Sequence, residues 1–283
     1  MPASAGVHHR TSRIPPEGVT LTRDDRPNPS AAAVQKLRLR YAKRGPLRFT
    51  SHRDVARAFE RALRRAKVPM AYSQGFNPHP KISWIGAAPT GVASEAEYVE
   101  IQLVEVLEPA ELVGMLDAAM PPGLDVLEAV GVPVGGEGSS SFADRMEASR
   151  WRIELPGVAQ DTLRAAFDQL LATEIVEVER LTKHGMRTID AREAVVTGWV
   201  EDDPVVSPSE PPAEPCGILV VVVRQLTPAV RPDDVLSALR VVAALEPPVP
   251  AKATRMAQGR LDDGGGLSDP LALDRAARAS ASG

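Results

Sequence analysis

Two of the five histidines, His52 and His79, stand at either end of an arginine-rich stretch, and they are the first place to look for chemistry. Imidazole changes charge near neutral pH, so a pair of them can share general acid and base work, for instance on RNA. With Asp54 or another carboxylate they can instead bind a metal, although two histidines without a third ligand of known position make a weak zinc signature. The bland alternative is structural: His52 bonding backbone near a helix start, and His79 pinning a loop. No catalytic residue is assigned beyond these two candidates, and no metal site is assigned.

The surrounding residues carry more information than the histidines. From Lys36 to Lys67 there are 12 Lys or Arg against two acids, a formal +10, whereas the whole chain is −4. Such a concentration of one sign in an otherwise acidic chain marks either an anion-binding surface or a face whose cations pair with acids elsewhere in the fold. Ser51-His52-Arg53-Asp54 has the form of a capping box, so a helix is predicted to start at Ser51 and to run towards Pro69. Val55, Phe59, Ala62, Leu63 and Ala66 fall on its apolar face. Arg53, Arg57, Arg61 and Arg65 recur every four residues on the opposite side, joined by Arg64. Neighbours at that spacing repel, which weakens an isolated helix by a few tenths of a kcal/mol per pair.

Upstream, Leu37, Leu39 and Tyr41 alternate with Lys36, Arg38 and Arg40, the pattern of a strand with one apolar and one basic face. Lys43 and Arg44 fall in a turn, and Arg48 adds charge just before the helix. Downstream, Ser73-Gln74-Gly75-Phe76-Asn77-Pro78-His79-Pro80 is too rich in Gly, Asn and Pro to be regular. Gly75 can let backbone approach a phosphate or simply supply positive φ. Phe76 can stack on a base, and Gln74, Asn77, His79 and Lys81 suit polar contacts to RNA. The candidate nucleic-acid-binding set is therefore Arg38, Arg40, Lys43, Arg44, Arg48, Arg53, Arg57, Arg61, Arg64, Gln74, Gly75, Phe76, Asn77, His79 and Lys81. Around Thr182-Lys183-His184-Gly185, a turn followed by Arg187 offers either a second basic contact or only a hairpin.

The elements that must position these residues follow from periodicity. Strands at 36–41, 82–85, 98–103 and 124–132 and helices at 51–66 and 109–119 give the order β-α-β-β-α-β, the ferredoxin-like split unit. A second α+β pattern follows from Trp151, with a dense β-branched strand at Ile218–Val223 and a helix at Pro232–Ala244. The expected fold is α+β, two ferredoxin-like units in tandem with disordered termini. The expected division is a disordered tail at 1–33, a basic ferredoxin-like domain at 34–133, a linker at 134–149, a second α+β domain at 150–255 and a flexible tail at 256–283. A proline-rich surface loop is expected at 204–215.

Composition narrows the function further. One cysteine, Cys216, rules out an intrachain disulfide and any multi-cysteine metal or iron–sulfur site within these residues. No run approaches the roughly 20 apolar residues of a membrane span, and no signal-peptide core is visible, so no membrane partner is expected and a cytoplasmic location is the default. Aromatic content of 4% argues against a platform that stacks many bases. No G-x-x-x-x-G-K-S/T, G-x-G-x-x-G, H-E-x-x-H or nucleophile-elbow motif occurs, so no cofactor is implied.

At F-T-S-H-R-D with R-A-L-R-R-A, and again at Y-S-Q-G-F-N-P-H-P-K, the chain resembles a bacterial family called radical-SAM-linked or radical-SAM-associated protein. The resemblance spans roughly Val34 to Arg255 and is carried most specifically by Phe49–Ala66, Tyr72–Lys81, Gly91–Glu100 and Thr182-Lys183-x-Gly185. It implies an accessory to a radical-SAM enzyme, because the enzyme itself needs a three-cysteine cluster motif and this chain has one cysteine. The first half is also similar, at the level of fold only, to RNA endonucleases of the RAMP superfamily. The resulting expectation is an RNA-binding accessory module acting on tRNA or rRNA, with RNA and/or a radical-SAM protein as partner. The alternatives are a protein-docking module for that partner without RNA, or a ribonuclease using His52 and His79.

Overall fold

Alternation along Gln35–Lys43 makes the first strand, β1, and sends Leu37, Leu39 and Tyr41 into a core where each is essentially inaccessible. The computed structural model describes residues 31–134, 141–182, 185–202 and 214–281. The expected disordered segment up to residue 30, the central part of the expected linker, the Lys183-His184 turn and most of the expected proline loop lie outside the described residues.

The first half runs β1, α1 (His52–Arg65), β2 (Ile82–Ile85), β3 (Ala93–Leu103), α2 (Pro109–Ala119) and β4 (Leu124–Val132). Its strands lie side by side in the order β4-β1-β3-β2, every pair antiparallel. Both helices cover one face, where Phe59 and Leu63 of α1 and Leu112 and Leu116 of α2 close over Leu37, Leu39, Val99 and Ile101. At roughly 1.5–3 kcal/mol per fully buried large apolar side chain, this face outweighs the mutual repulsion of the arginines behind it.

The second half runs β5 (Ala148–Pro156), α3 (Gln160–Ala172), β6 (Glu177–Thr182), β7 (Gly185–Asp190), α4 (Ala191–Ala194), β8 (Val195–Val200), β9 (Cys216–Arg224), α5 (Pro232–Ala243) and β10 (Lys252–Leu261). Strands β10-β5-β9-β8 are again neighbours and antiparallel, and β6-β7 form a separate hairpin. Ile153, Leu155, Leu219 and Val221 pack under α3 and α5 against Leu163, Phe167, Val235 and Leu239. Of the β-branched run Ile218–Val223 in β9, Leu219–Val223 is buried throughout and Ile218 is half-buried.

The halves are not separate sheets. Strand β10 also pairs with β3, in parallel, at Thr254↔Ala93 and Arg255↔Ser94, so the described residues form one mixed nine-stranded sheet within an α+β fold, with six helices among them. Buried side chains tie this short seam. The Arg255 guanidinium pairs with Glu97, and its Nε donates to Ser94 Oγ at 3.4 Å. Gln258 Nε2 donates to the Ala96 carbonyl at 2.6 Å. The other Glu97 oxygen accepts from the Ala88 N–H at 3.0 Å.

The expected flexible tail from 256 is corrected. Residues up to Leu261 complete β10, β11 (Leu267–Ser268) pairs with it, and α6 (Ala272–Ala281) returns across the first half. Leu271 is fully buried beside Phe142, Tyr98 and Val130 on the sheet face opposite α1. The Asp274 carboxylate accepts from Arg38 Nη1 at 2.8 Å and from Arg145 Nη1 at 2.9 Å. The Gly and Ala that read as flexible are spacers around one apolar and one acidic anchor.

Removing one member of a buried pair leaves the other charged and unsolvated, which costs about 3–5 kcal/mol. Glu97→Ala is expected to destabilise the protein by that amount in urea unfolding, and Glu97→Leu combined with Arg255→Met to recover most of it. A Glu97→Ala protein as stable as the parent would show that the seam is held by other contacts.

Candidate nucleic-acid interface

Helix α1 begins where its sequence says it should. The Asp54 N–H donates to Ser51 Oγ at 3.2 Å, and the Ser51 hydroxyl donates to Asp54 Oδ2 at 2.7 Å. The helix stops at Arg65, a turn ahead of Pro69. Lys67 takes a left-handed conformation (φ 53°), and the Lys67 and Val68 N–H groups donate to the Arg64 and Leu63 carbonyls. That is a Schellman closure made without the usual glycine. Val55, Ala58, Phe59, Ala62 and Leu63 face the core, and Ala66 is half-buried.

The other side of α1 presents Arg53, Arg57, Arg61, Arg64 and Arg65, all exposed. Arg57 lies 3.6 Å from Asp54, an exposed pair of little energetic weight. Arg65 donates to the Ala119 carbonyl at 3.2 Å. Arg53, Arg61 and Arg64 have no ion-pair partner among the described residues. Arg48, just ahead of the helix, holds its guanidinium 4.4 Å from the centre of the Phe49 ring, and that ring is 61% exposed.

Beside this face, the loop of residues 73–80 is tied at its base. The Ser73 N–H donates to the His79 carbonyl at 2.8 Å, and the His79 N–H donates to Ser73 Oγ at 3.0 Å. Gly75 sits at φ +138°, where an L side chain is strained although the space around it is open. Phe76 is 84% exposed, and Asn77, His79 and Lys81 are exposed with it. Between α1 and the loop lies a pocket of about 220 Å³ bordered by Glu60, Arg64, Tyr72, Pro78 and His79.

The predicted site residues divide sharply. Arg48, Arg53, Arg57, Arg61, Arg64, Gln74, Gly75, Phe76, Asn77, His79 and Lys81 belong to α1, its approach and the neighbouring loop. The cations of β1 do not join them as a basic surface, a correction to the reading of that strand. Arg38 is 4% exposed and is used by Glu100 and Asp274. Arg40 lies half-buried, 4.0 Å from Glu128. Lys43 is buried, donating to the Ala88 and Pro89 carbonyls at 3.4 and 3.1 Å, and burial lowers its pKa below the ordinary lysine value. Arg44 is exposed but clamped by Glu95 and Asp125, whose hydrogen bonds raise its pKa further. The reason is register: Arg38 lies across from Glu100 on β3 and Arg40 across from Glu128 on β4, so cross-strand pairs neutralise that face before α6 covers it.

His52 and His79 are not brought to one pocket. The His52 ring meets Trp84 edge-on at 5.3 Å, on the side where Trp84 also touches Phe59, while His79 borders the loop pocket. Among the described residues no group of three or more His, Cys, Asp or Glu is placed to hold a metal. Phe49, Arg65 and Lys67 extend the exposed face beyond the predicted set. Phe49 is visible in the sequence only as an aromatic next to Arg48 and Lys67 as a cation past the helix end, whereas Arg65 already belongs to the four-residue arginine stripe.

A family model described as "Uncharacterized protein conserved in bacteria" (DUF2344) matches residues 36–232. The chain belongs to DUF2344. The matched part of this DUF2344 member includes β1, α1 and the 73–80 loop and ends at the start of α5. No curated protein matches the chain. No helix among the described residues is long and apolar enough to cross a membrane.

Two substitutions separate scaffold from surface on α1. Ser51→Ala is expected to cost about 1 kcal/mol through loss of the cap. The double substitution Arg57→Ala, Arg61→Ala is expected to leave stability within about 0.5 kcal/mol, because it removes exposed, mutually repelling charges. Urea unfolding measures both, and a loss above about 2 kcal/mol in the arginine variant would show those side chains to be structural.

Proposed function

We propose that the chain is an RNA-binding accessory module whose working surface is the arginine face of α1, flanked by Arg48-Phe49 and the 73–80 loop. The observation that carries this reading is the contrast between two sets of cations in one stretch of sequence. On β1, Lys36, Arg38 and Arg40 have acids set against them and Lys43 is buried on backbone carbonyls, whereas Arg53, Arg61 and Arg64 have no acid partner among the described residues. Polyanionic phosphate supplies the missing charge. Two exposed aromatic rings, Phe49 against the Arg48 guanidinium and Phe76 in the neighbouring loop, favour RNA over an acidic protein, since unpaired bases stack on such rings and helical phosphates alone do not require them.

Two finer parts of the reading rest on other support. The strand order fourth-first-third-second in each half, with all pairs antiparallel, supports a tandem of ferredoxin-like units, the second carrying the β6-β7 hairpin and α4 as an insertion. The link to a radical-SAM protein, and to tRNA or rRNA modification, rests on the sequence resemblance. In that partnership the iron–sulfur cluster belongs to the partner, because one cysteine cannot hold it.

Filter binding of bulk tRNA and rRNA fragments at several salt concentrations tests the proposal. Affinity is expected to fall steeply with salt as counterions are released. Arg57→Ala, Arg61→Ala should weaken binding about tenfold or more and flatten the salt slope by about one to two units. Phe76→Ala should cost about 1–3 kcal/mol if a base stacks there. Absence of salt-sensitive binding, or unchanged affinity in the double variant, would remove the proposal and favour a protein-docking role for the same face.

A further inference from the structure

A second cluster of arginines lies away from α1, at the seam between the two halves. Here the β2–β3 turn, the Phe142–Arg145 helical turn, β5, the end of β9, the approach to α5 and β10 enclose a cavity of about 380 Å³. Three guanidinium side chains line it, Arg224, Arg231 and Arg255, and no carboxylate among the described residues does. Arg224 and Arg231 are exposed and form no ion pair among the described residues. Arg255 is 4% exposed, and its Nε and Nη2 are taken by Ser94 and Glu97, while Nη1 makes no hydrogen bond among the described residues. The N terminus of α5 adds nothing, because its first turn is already capped by Asp234, whose carboxylate accepts from the Arg231 N–H at 2.7 Å. The remaining wall is mostly apolar, with Ile85, Met146, Trp151 and Val230 prominent, and also carries Ser149, Gln225 and Gln258.

We infer that this cavity is a binding site for a small organic anion, a phosphate or carboxylate group carried on an apolar or aromatic body. Its volume lies at the lower end of the range for small-molecule sites, and a mostly apolar lining with a few converging polar groups is the usual make-up of such sites. Like charges gathered at a partly desolvated wall repel one another, and an oxyanion relieves that repulsion while using the forked donors of arginine. Glu97 balances only one of the three positive charges, and from behind the wall. Placement at the junction of the halves makes the occupant a bridge between β5, β9 and β10 on one side and the β2–β3 turn on the other. The site is independent of the α1 face and of any RNA it binds.

Ligand-observed NMR titration of the full chain with phenyl phosphate and with benzoate tests the inference. Saturable binding of at least one probe is expected, and the preferred one tells phosphate from carboxylate. Arg224→Gln, Arg231→Gln should weaken that binding at least about tenfold, as expected for loss of charge-assisted hydrogen bonds. These side chains are exposed, so the variant keeps its fold, which an unchanged melting profile checks. Arg57→Ala, Arg61→Ala should bind the probe as the parent does. No saturable binding of either probe up to about 10 mM, or equal affinity in the Arg224/Arg231 variant, would overturn the site.

Discussion

The ion pair between Arg255 and Glu97 is the contact on which the arrangement depends. Only two register pairs join β10 to β3, and a parallel contact that short does not by itself hold two half-sheets in one orientation. Arg255 closes it by carrying a charge from one half into the interior of the other, where Glu97 receives it and also accepts from the Ala88 backbone. Lys43 bonds the Ala88 and Pro89 carbonyls in turn, so β1, the β2–β3 turn and β10 share one buried polar cluster. Tyr41 lies alongside, and burial together with the Glu97 charge pushes its phenol well above the ordinary tyrosine value. Such a cluster adds little net stability over an apolar equivalent, but it penalises every register in which a charge is left alone.

With the halves fixed, the fate of each cation between Lys36 and Lys67 follows from the element it occupies. A strand inside a sheet presents its side chains to neighbours on both sides, and here the neighbours supply Glu100 and Glu128. A helix on the outside of the sheet presents one face to the core and the other to solvent, and no described residue beyond it supplies an acid to Arg53, Arg61 or Arg64. The arginines of α1 therefore keep their field, while the burial of Phe59 and Leu63 on the inner face holds them in a row. The 73–80 loop, closed at its base, borders one pocket with Arg64 through Pro78 and His79 and leaves Phe76 exposed.

Much of this was legible in the residues. The cap at Ser51, the apolar face of α1, the alternation in β1 and the βαββαβ order of the first half are local patterns, and local patterns survive folding. What could not be read was long-range. The basic face of β1 looked like surface because its acids arrive from β3, β4 and α6, the last more than 230 residues away. The C-terminal segment looked flexible because its anchors are one leucine and one aspartate among small residues, too sparse to register as periodicity. Histidines at the two ends of a stretch looked like a pair, yet the chain sends His52 to Trp84 and His79 to the loop pocket. The arginines of the seam cavity stand at 224, 231 and 255 on separate elements, with no spacing to connect them.

The central claim is that the unpaired cations of α1 form the working surface. Ultraviolet crosslinking of the full chain to cellular RNA, followed by mass-spectrometric mapping of crosslinked peptides, tests it most directly. The account predicts crosslinks concentrated in residues 48–81, with Phe49 and Phe76 prominent, and none on the covered face of β1. Crosslinks confined to the second half, or no crosslinked RNA at all, would contradict it.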